Sequence, residues 1–168
     1  TYTPGSDSTR ILFQVASASD VAMQSPLEHP PGERFYYSSG TTNLLSRLVH
    51  DRLGGSQAQI DFFAQQLLAP LGMRHTGFEP DGEIGARLAR GYVHDRPTNP
   101  TPIRYIPAGG LYSNVLDLAR FMRCVFAGGA LDGTHVLGEN ELRASFEPQY
   151  AGQPLDFGQC FGLGWMLS

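Results

Sequence analysis

Apolar residues recur at helical spacing in separate stretches of this chain, and only short strand patterns lie between them. Leu44, Leu45, Leu48, Val49 and Leu53 define one helix, which Thr41 or Thr42 can cap and Gly54-Gly55 ends. A second runs from about Ser56 to Leu68 with Ile60, Phe63, Leu67 and Leu68 on its apolar side, and Pro70-Leu71-Gly72-Met73 stops it. A third spans about Asn114 to Phe126. Ser113 or Asn114 caps it, Leu118, Met122 and Val125 share a face, and Gly128-Gly129 terminates it. A tight turn at Leu131-Asp132-Gly133-Thr134 precedes a fourth helix near Glu139 to Phe146. Upstream, a loop-rich opening between Pro4-Gly5 and Pro30-Pro31-Gly32 carries a short helix from about Ser8 to Gln24. Arg87 to His94 and Ile103 to Ile106 are candidate strands, separated by the rigid Arg96-Pro97-Thr98-Asn99-Pro100 stretch. This order does not alternate as βαβ units do. It predicts an α+β architecture: a mostly helical subdomain with short strands, packed on a sheet that residues outside this chain complete.

The 168 residues suffice for one domain with a hydrophobic core. No apolar run approaches the ~20 residues of a membrane-spanning helix. The net charge of −4 and the lack of a basic cluster argue against a nucleic-acid partner. All 12 basic residues are arginine. Without lysine, this polypeptide has no side-chain amine to act as a neutral proton acceptor, and a guanidinium does not deprotonate in proteins. The final residues, Phe161 to Ser168, are among the most strand-like in the chain. With a first residue that is Thr1, they raise the expectation that both ends are cut within a larger domain. Cys124 and Cys160 lie far apart without metal-ligand spacing, and read as two buried free thiols in preference to a disulfide.

Four segments then occur in a telling order. They are Pro31-Gly32-Glu33-Arg34-Phe35-Tyr36-Tyr37-Ser38-Ser39 with Asn43-Leu44-Leu45 after it, and Pro70-Leu71-Gly72-Met73-Arg74-His75-Thr76. Next come Ala108-Gly109-Gly110-Leu111-Tyr112-Ser113 running into Asp117-Leu118-Ala119-Arg120-Phe121, and finally Phe161-Gly162-Leu163-Gly164-Trp165. Together they resemble the serine hydrolase family of class C β-lactamases, D-alanyl-D-alanine peptidases and related esterases. The resemblance covers roughly residues 31–165. The form Tyr37-Ser38-Ser39-Gly40-Thr41-Thr42-Asn43 further resembles a branch often associated with esterases and 6-aminohexanoate-oligomer hydrolases.

The resemblance implies acyl transfer through an acyl-enzyme, with a Ser-x-x-Lys pair upstream of Thr1 and a His-x-Gly or Lys-Thr-Gly strand downstream of Ser168. Residues 1–168 would then be a partial domain, inactive alone, supplying only the middle motif. Tyr37 takes the position of the family's catalytic tyrosine. A neighbouring ammonium would favour its ionised form, letting it relay a proton between nucleophile and leaving group. By residue type alone it reads as a core aromatic. Ser39 stands where the family commonly has asparagine, and reads either as a substrate contact or as a cap for the next helix. A serine hydroxyl offers one donor where an amide both donates and accepts, which favours an ester or small linear amide over a β-lactam. Gly109 and Gly110 fall where the family's backbone passes the substrate, which glycine's freedom of close approach and dihedral permits; an ordinary turn is the other reading. Asp117 and Arg120 read as a structural i, i+3 ion pair.

The expected partner is therefore a small-molecule ester, amide or β-lactam-like compound, with no cofactor. His29, His50, His75, His94 and His135 show no paired ligand spacing, so no metal is expected. No Gly-x-Ser-x-Gly elbow occurs, which sets aside the α/β-hydrolase route. From another class, a non-catalytic relative binding peptidoglycan peptides or a protein partner remains open, and so does the choice between periplasm and cytoplasm.

Overall fold

The computed structural model describes residues 17–98, 106–149 and 160–167. Its first helix, α1, is Ala18–Gln24, capped where the Ser17 hydroxyl accepts from the Asp20 amide; the expected start near Ser8 lies outside the described residues. Helix α2 is Ser39–Leu53. Its cap is Ser38, not Thr41 or Thr42. Ser38 has extended backbone and its hydroxyl accepts from the Gly40 amide at 3.1 Å, so both threonines already lie in the first turn. Left-handed Gly54 ends the helix. Arg47 ties α2 to α1, with its Nη1 3.2 Å from Asp20 and its Nε 2.8 Å from Asp51. Hydrogen bonds from the His50 ring and from Arg47 hold the Asp51 carboxyl below its ordinary value. That contribution is present above the ordinary carboxylate range and lost as pH falls through the lowered value, and solvent screening keeps it small.

Helix α3, Ser56–Phe63, continues through a π-turn at Ala64–Leu68 and a last α-turn at Ala69–Leu71 before Gly72 turns left-handed. The helical path thus runs past Pro70, beyond the expected stop at Leu68. The Ala69 amide reaches back to the Ala64 carbonyl, so the helix is widened just where proline has no N–H to give.

After α4 (Gly82–Ala86), Gly91–Val93 (β1) and Arg96–Thr98 (β2) form an antiparallel hairpin. Of the stretch expected to separate two strands, Arg96–Thr98 is itself the second strand, and Asn99 and Pro100 lie outside the described residues. His94 and Asp95 carry φ of 46° and 61°, the geometry of a two-residue type I′ turn, and Pro97 sits opposite Tyr92, the pair next to the turn-closing one, where the hairpin asks for no N–H. The other expected strand begins at Ile103, outside the described residues, and its last member, Ile106, opens helix α5, Ile106–Gly109.

Helix α6, Val115–Phe126, is capped by Asn114, whose side chain accepts from the Asp117 amide. Its packed face is Asp117, Phe121, Cys124 and Val125; Leu118 and Met122, expected to share the face of Val125, are exposed with Val115 and Phe126. The helix is apolar on two sides, and the core among the described residues covers one. Hairpin β3–β4 (Ala130–Leu131, Thr134–His135) turns at Asp132-Gly133, as the sequence predicts, and α7 is Glu139–Ser145. Gly129 joins α6 to this hairpin at φ +98°, and a Cβ there would overlap the Leu137 carbonyl. Last, Cys160–Phe161 (β5) pairs with Met166–Leu167 (β6). The final motif is therefore a hairpin, not one strand: left-handed Gly164 reverses the chain and the Gly162 amide bonds the Trp165 carbonyl.

The core lies between the end of α3, helix α6 and hairpin β3–β4. Leu71, Met73, Cys124 and Leu131 are buried there, with Leu67, Leu68, Phe121, Val136 and Leu137 packed around them. The strands described form three separate two-stranded antiparallel sheets. The fold is α+β with small, incomplete sheets. Both cysteines are free thiols, but only Cys124 is buried; Cys160 is half-buried. Burial pushes the Cys124 thiol up, away from the reactive thiolate. Thiol titration of the native protein is expected to modify Cys160 first and Cys124 only on unfolding. Equal rates would contradict the packing of α6.

Candidate active site

Tyr37 lies in the irregular segment that leads into α2, one residue before the Ser38 cap. Its ring is 62% exposed, so it is not a core aromatic within this chain. Ser39 is the first residue of α2 and half-buried. The capping role belongs to Ser38, and the Ser39 carbonyl accepts from the Asn43 amide group at 2.8 Å. Asn43 is buried, so this bond fixes the first turn that presents Tyr37 and Ser39.

Helix α5, which ends at Gly109, packs against α2. Neither Gly109 nor Gly110 has positive φ, so unusual dihedrals are not what they supply. Gly110 is required by close approach: its amide bonds the Ile106 carbonyl at 2.8 Å, and a Cβ would stand 2.8 Å from the Ile106 Cα. Gly109 is the exposed last residue of α5.

Beyond Gly110 the chain is held in place. Tyr112 and Gly77 exchange backbone hydrogen bonds of 2.8 and 3.0 Å. The Asp117 carboxylate accepts from the His75 amide at 2.8 Å and the Thr76 hydroxyl at 2.9 Å, and Thr76 also meets the Ser113 hydroxyl at 2.8 Å. Asp117 and Thr76 are buried. The expected Asp117–Arg120 ion pair does not form. Asp117 points into the interface with the segment after Gly72, while Arg120 reaches the Leu71 carbonyl. A helical i, i+3 spacing does not hold two groups together when one has buried donors to satisfy.

The last motif closes onto the first. Phe161 stacks on Phe35 with ring centroids 4.3 Å apart, and an open cleft beside them is lined by Phe35, Leu45, Gln149, Phe161 and Leu163. Trp165 stacks on Phe146 and Phe121 and donates from Nε1 to Ser145 Oγ at 3.0 Å. Sequence reasoning missed the Asp117 network and the Phe35–Phe161 stack; the signal available was the residues themselves, since Thr76, Ser113 and Asp117 all fall in motifs. Among the described residues no cluster of His, Cys, Asp or Glu could hold a metal ion, and no helix is long and apolar enough to cross a membrane.

The beta-lactamase family model matches residues 1–168. Among curated relatives, a Homo sapiens protein whose name calls it beta-lactamase-like is 33% identical over 130 residues, spanning 73% of this chain and 25% of that protein. Protein Rv1367c of Mycobacterium tuberculosis is 30% identical over 158 residues, spanning 82% of this chain and 39% of that protein. The chain thus corresponds to well under half the length of these relatives. Among solved structures, the octameric penicillin-binding protein homologue from Pyrococcus abyssi superposes with a TM-score of 0.68 at 23% identity, over 93% of this chain and 36% of that one. The D-amino acid amidase from Ochrobactrum anthropi SV3 gives a TM-score of 0.65 at 22% identity, over 88% of this chain and 43% of that one. At such identities the shared property is the fold. With four motifs in order, their assembly in space and a family match along its whole length, the chain belongs to the beta-lactamase family and has the serine beta-lactamase and penicillin-binding-protein-like fold.

Proposed function

We propose that residues 1–168 form the central part of a serine acyl hydrolase whose substrate is an ester or a small linear amide. The observation that supports this reading is Tyr37, which by resemblance takes the family's catalytic tyrosine position and is 62% exposed, two residues before the start of α2. A serine and a lysine from outside this chain supply the nucleophile and the ammonium that favours the phenolate. The phenolate takes the serine proton as its oxygen attacks the substrate carbonyl. It returns that proton to the leaving alcohol or amine as the tetrahedral intermediate collapses to the acyl-serine. Water, deprotonated by the same group, attacks the acyl-serine, and that proton passes to the serine oxygen as the acid leaves. Ser39 and the Gly109–Gly110 backbone line the substrate. Serine at position 39 offers less than asparagine toward a β-lactam amide, a difference of about 1–3 kcal/mol if one buried contact is lost. The similarity to an enzyme named as an amidase is in keeping with this substrate class.

Labelling with a serine-directed fluorophosphonate tests the reading. The full-length protein is expected to take one equivalent at a serine outside residues 1–168, and the 168-residue chain none. Stoichiometric labelling of a serine inside the chain would overturn the assignment of the nucleophile. An unlabelled full-length protein would favour the non-catalytic relative that binds peptidoglycan peptides or a protein partner.

A further inference from the structure

We propose that Asp117 is a positioning residue: through Thr76 and Ser113 it holds the Gly109–Gly110 turn after the helix packed on α2, and so sets which acyl groups the substrate site accepts. This rests on the hydrolase reading of the same site.

The direction of each hydrogen bond follows from what each group can do. A carboxylate offers only acceptors, so the single Thr76 proton goes to Asp117 Oδ2, 2.9 Å away. Thr76 must then accept from Ser113 across their 2.8 Å contact, which commits the Ser113 proton to Thr76 over the Asn114 carbonyl at 3.4 Å. The chain Ser113 to Thr76 to Asp117 has one polarity. The His75 amide converges on the same Oδ2 at 2.8 Å, and Asn114 caps the Asp117 amide at 2.8 Å. The carboxylate thereby ties together residues next to both members of the isolated Gly77–Tyr112 bridge. Tyr112 is two residues from Gly110, whose own amide is tied to Ile106 in the helix packed on α2. Release of Ser113 therefore loosens one end of a short segment whose other end is the glycine turn that the hydrolase reading sets against the substrate. Asp117 and Thr76 are buried and so remain out of reach of substrate. Their effect is on fit, not on proton transfer.

The test uses the full-length protein with Thr76→Val, Thr76→Ser, Asp117→Asn and Ser113→Ala, assayed on p-nitrophenyl acetate and p-nitrophenyl octanoate. Thr76→Val removes the hydroxyl at nearly constant volume. It is expected to change the octanoate-to-acetate ratio of kcat/KM by about tenfold or more, through KM, with kcat within about threefold. Thr76→Ser keeps the hydroxyl and Asp117→Asn keeps an oxygen at the same place, so both are expected to retain the native ratio. Ser113→Ala removes only the outer bond and shifts the ratio in the same direction by less, which serves if Thr76→Val fails to fold. Hydrogen exchange is measured alongside: the Gly110 and Tyr112 amides are expected to exchange about tenfold faster in Thr76→Val and at the native rate in Thr76→Ser. Unchanged selectivity and exchange in both Thr76→Val and Ser113→Ala would overturn the proposal. So would a Thr76→Ser protein as impaired as Thr76→Val, or a uniform loss of kcat. A native protein inert to both esters would remove the hydrolase reading, while exchange at Gly110 and Tyr112 would still decide whether the clamp holds the turn.

Discussion

Tyr37→Phe in the full-length protein is expected to lower kcat/KM for an activated ester about 10²- to 10⁴-fold, the usual contribution of a positioned proton carrier. The substitution deletes one oxygen and leaves the ring. Because that ring is largely exposed and has no hydrogen-bond partner to forfeit among the described residues, stability is expected to stay within about 0.5 kcal/mol. A loss of activity with an unchanged melting temperature would thus report on chemistry and not on folding. Steady-state hydrolysis of p-nitrophenyl acetate with a parallel thermal melt makes the measurement. Activity within a few-fold of the native protein would remove Tyr37 from the mechanism and leave the proton to another group.

Leu71→Ala is expected to have the largest effect on stability. Leu71 is 1% exposed and sits among Met73, Cys124 and Leu131 where the end of α3 meets α6. Truncating it removes three carbons from water-free surroundings and leaves a cavity whose walls belong to two helices and a hairpin. Those walls cannot collapse freely, since Gly72 turns left-handed next to it and Arg120 reaches across to the Leu71 carbonyl. Substitutions of this kind cost about 2–5 kcal/mol, and such restraint points to the upper half of that range. Urea unfolding of the full-length protein followed by tryptophan fluorescence reads it directly, because Trp165 stacks on Phe121 of α6. A shift below about 1 kcal/mol would mean that this core is not where the domain's stability resides.

Much of the helical framework was legible because helix ends are written in local chemistry. Asn114, Gly54 and Gly128-Gly129 mark real boundaries, and the Asp132-Gly133 turn is where a left-handed glycine makes it cheap. The misses have physical causes. The turn at His94-Asp95 uses positive φ at two residues that are not glycine, so no glycine announces it. The π-turn before Pro70 lets a helix outlast a proline that ordinarily stops it. On α6, periodicity selects the apolar residues but not which of two apolar sides this chain covers. For the candidate site, Tyr37 and the glycine pair are assigned only through the resemblance, since neither a lone tyrosine nor a glycine pair carries a local signal of its own. What joins the motifs lies 37–42 residues apart in sequence, and no local rule assigns Asp117 to His75 and Thr76 instead of to Arg120.

The Phe35–Phe161 stack also bears on the order in which the protein can be made. Phe35 leaves the ribosome on the order of a hundred residues ahead of its partner, an interval of roughly 5–25 s at about 5–20 residues per second. Throughout that time the aromatic run Phe35-Tyr36-Tyr37 has nothing of the last hairpin to cover it. Glu33 and Arg34, both exposed, stand directly before it and bring charge of each sign to the edge of an otherwise adhesive segment. Opposite charges placed beside an apolar run are the pattern that limits sticking of such a segment, here for the interval before Phe161 covers Phe35.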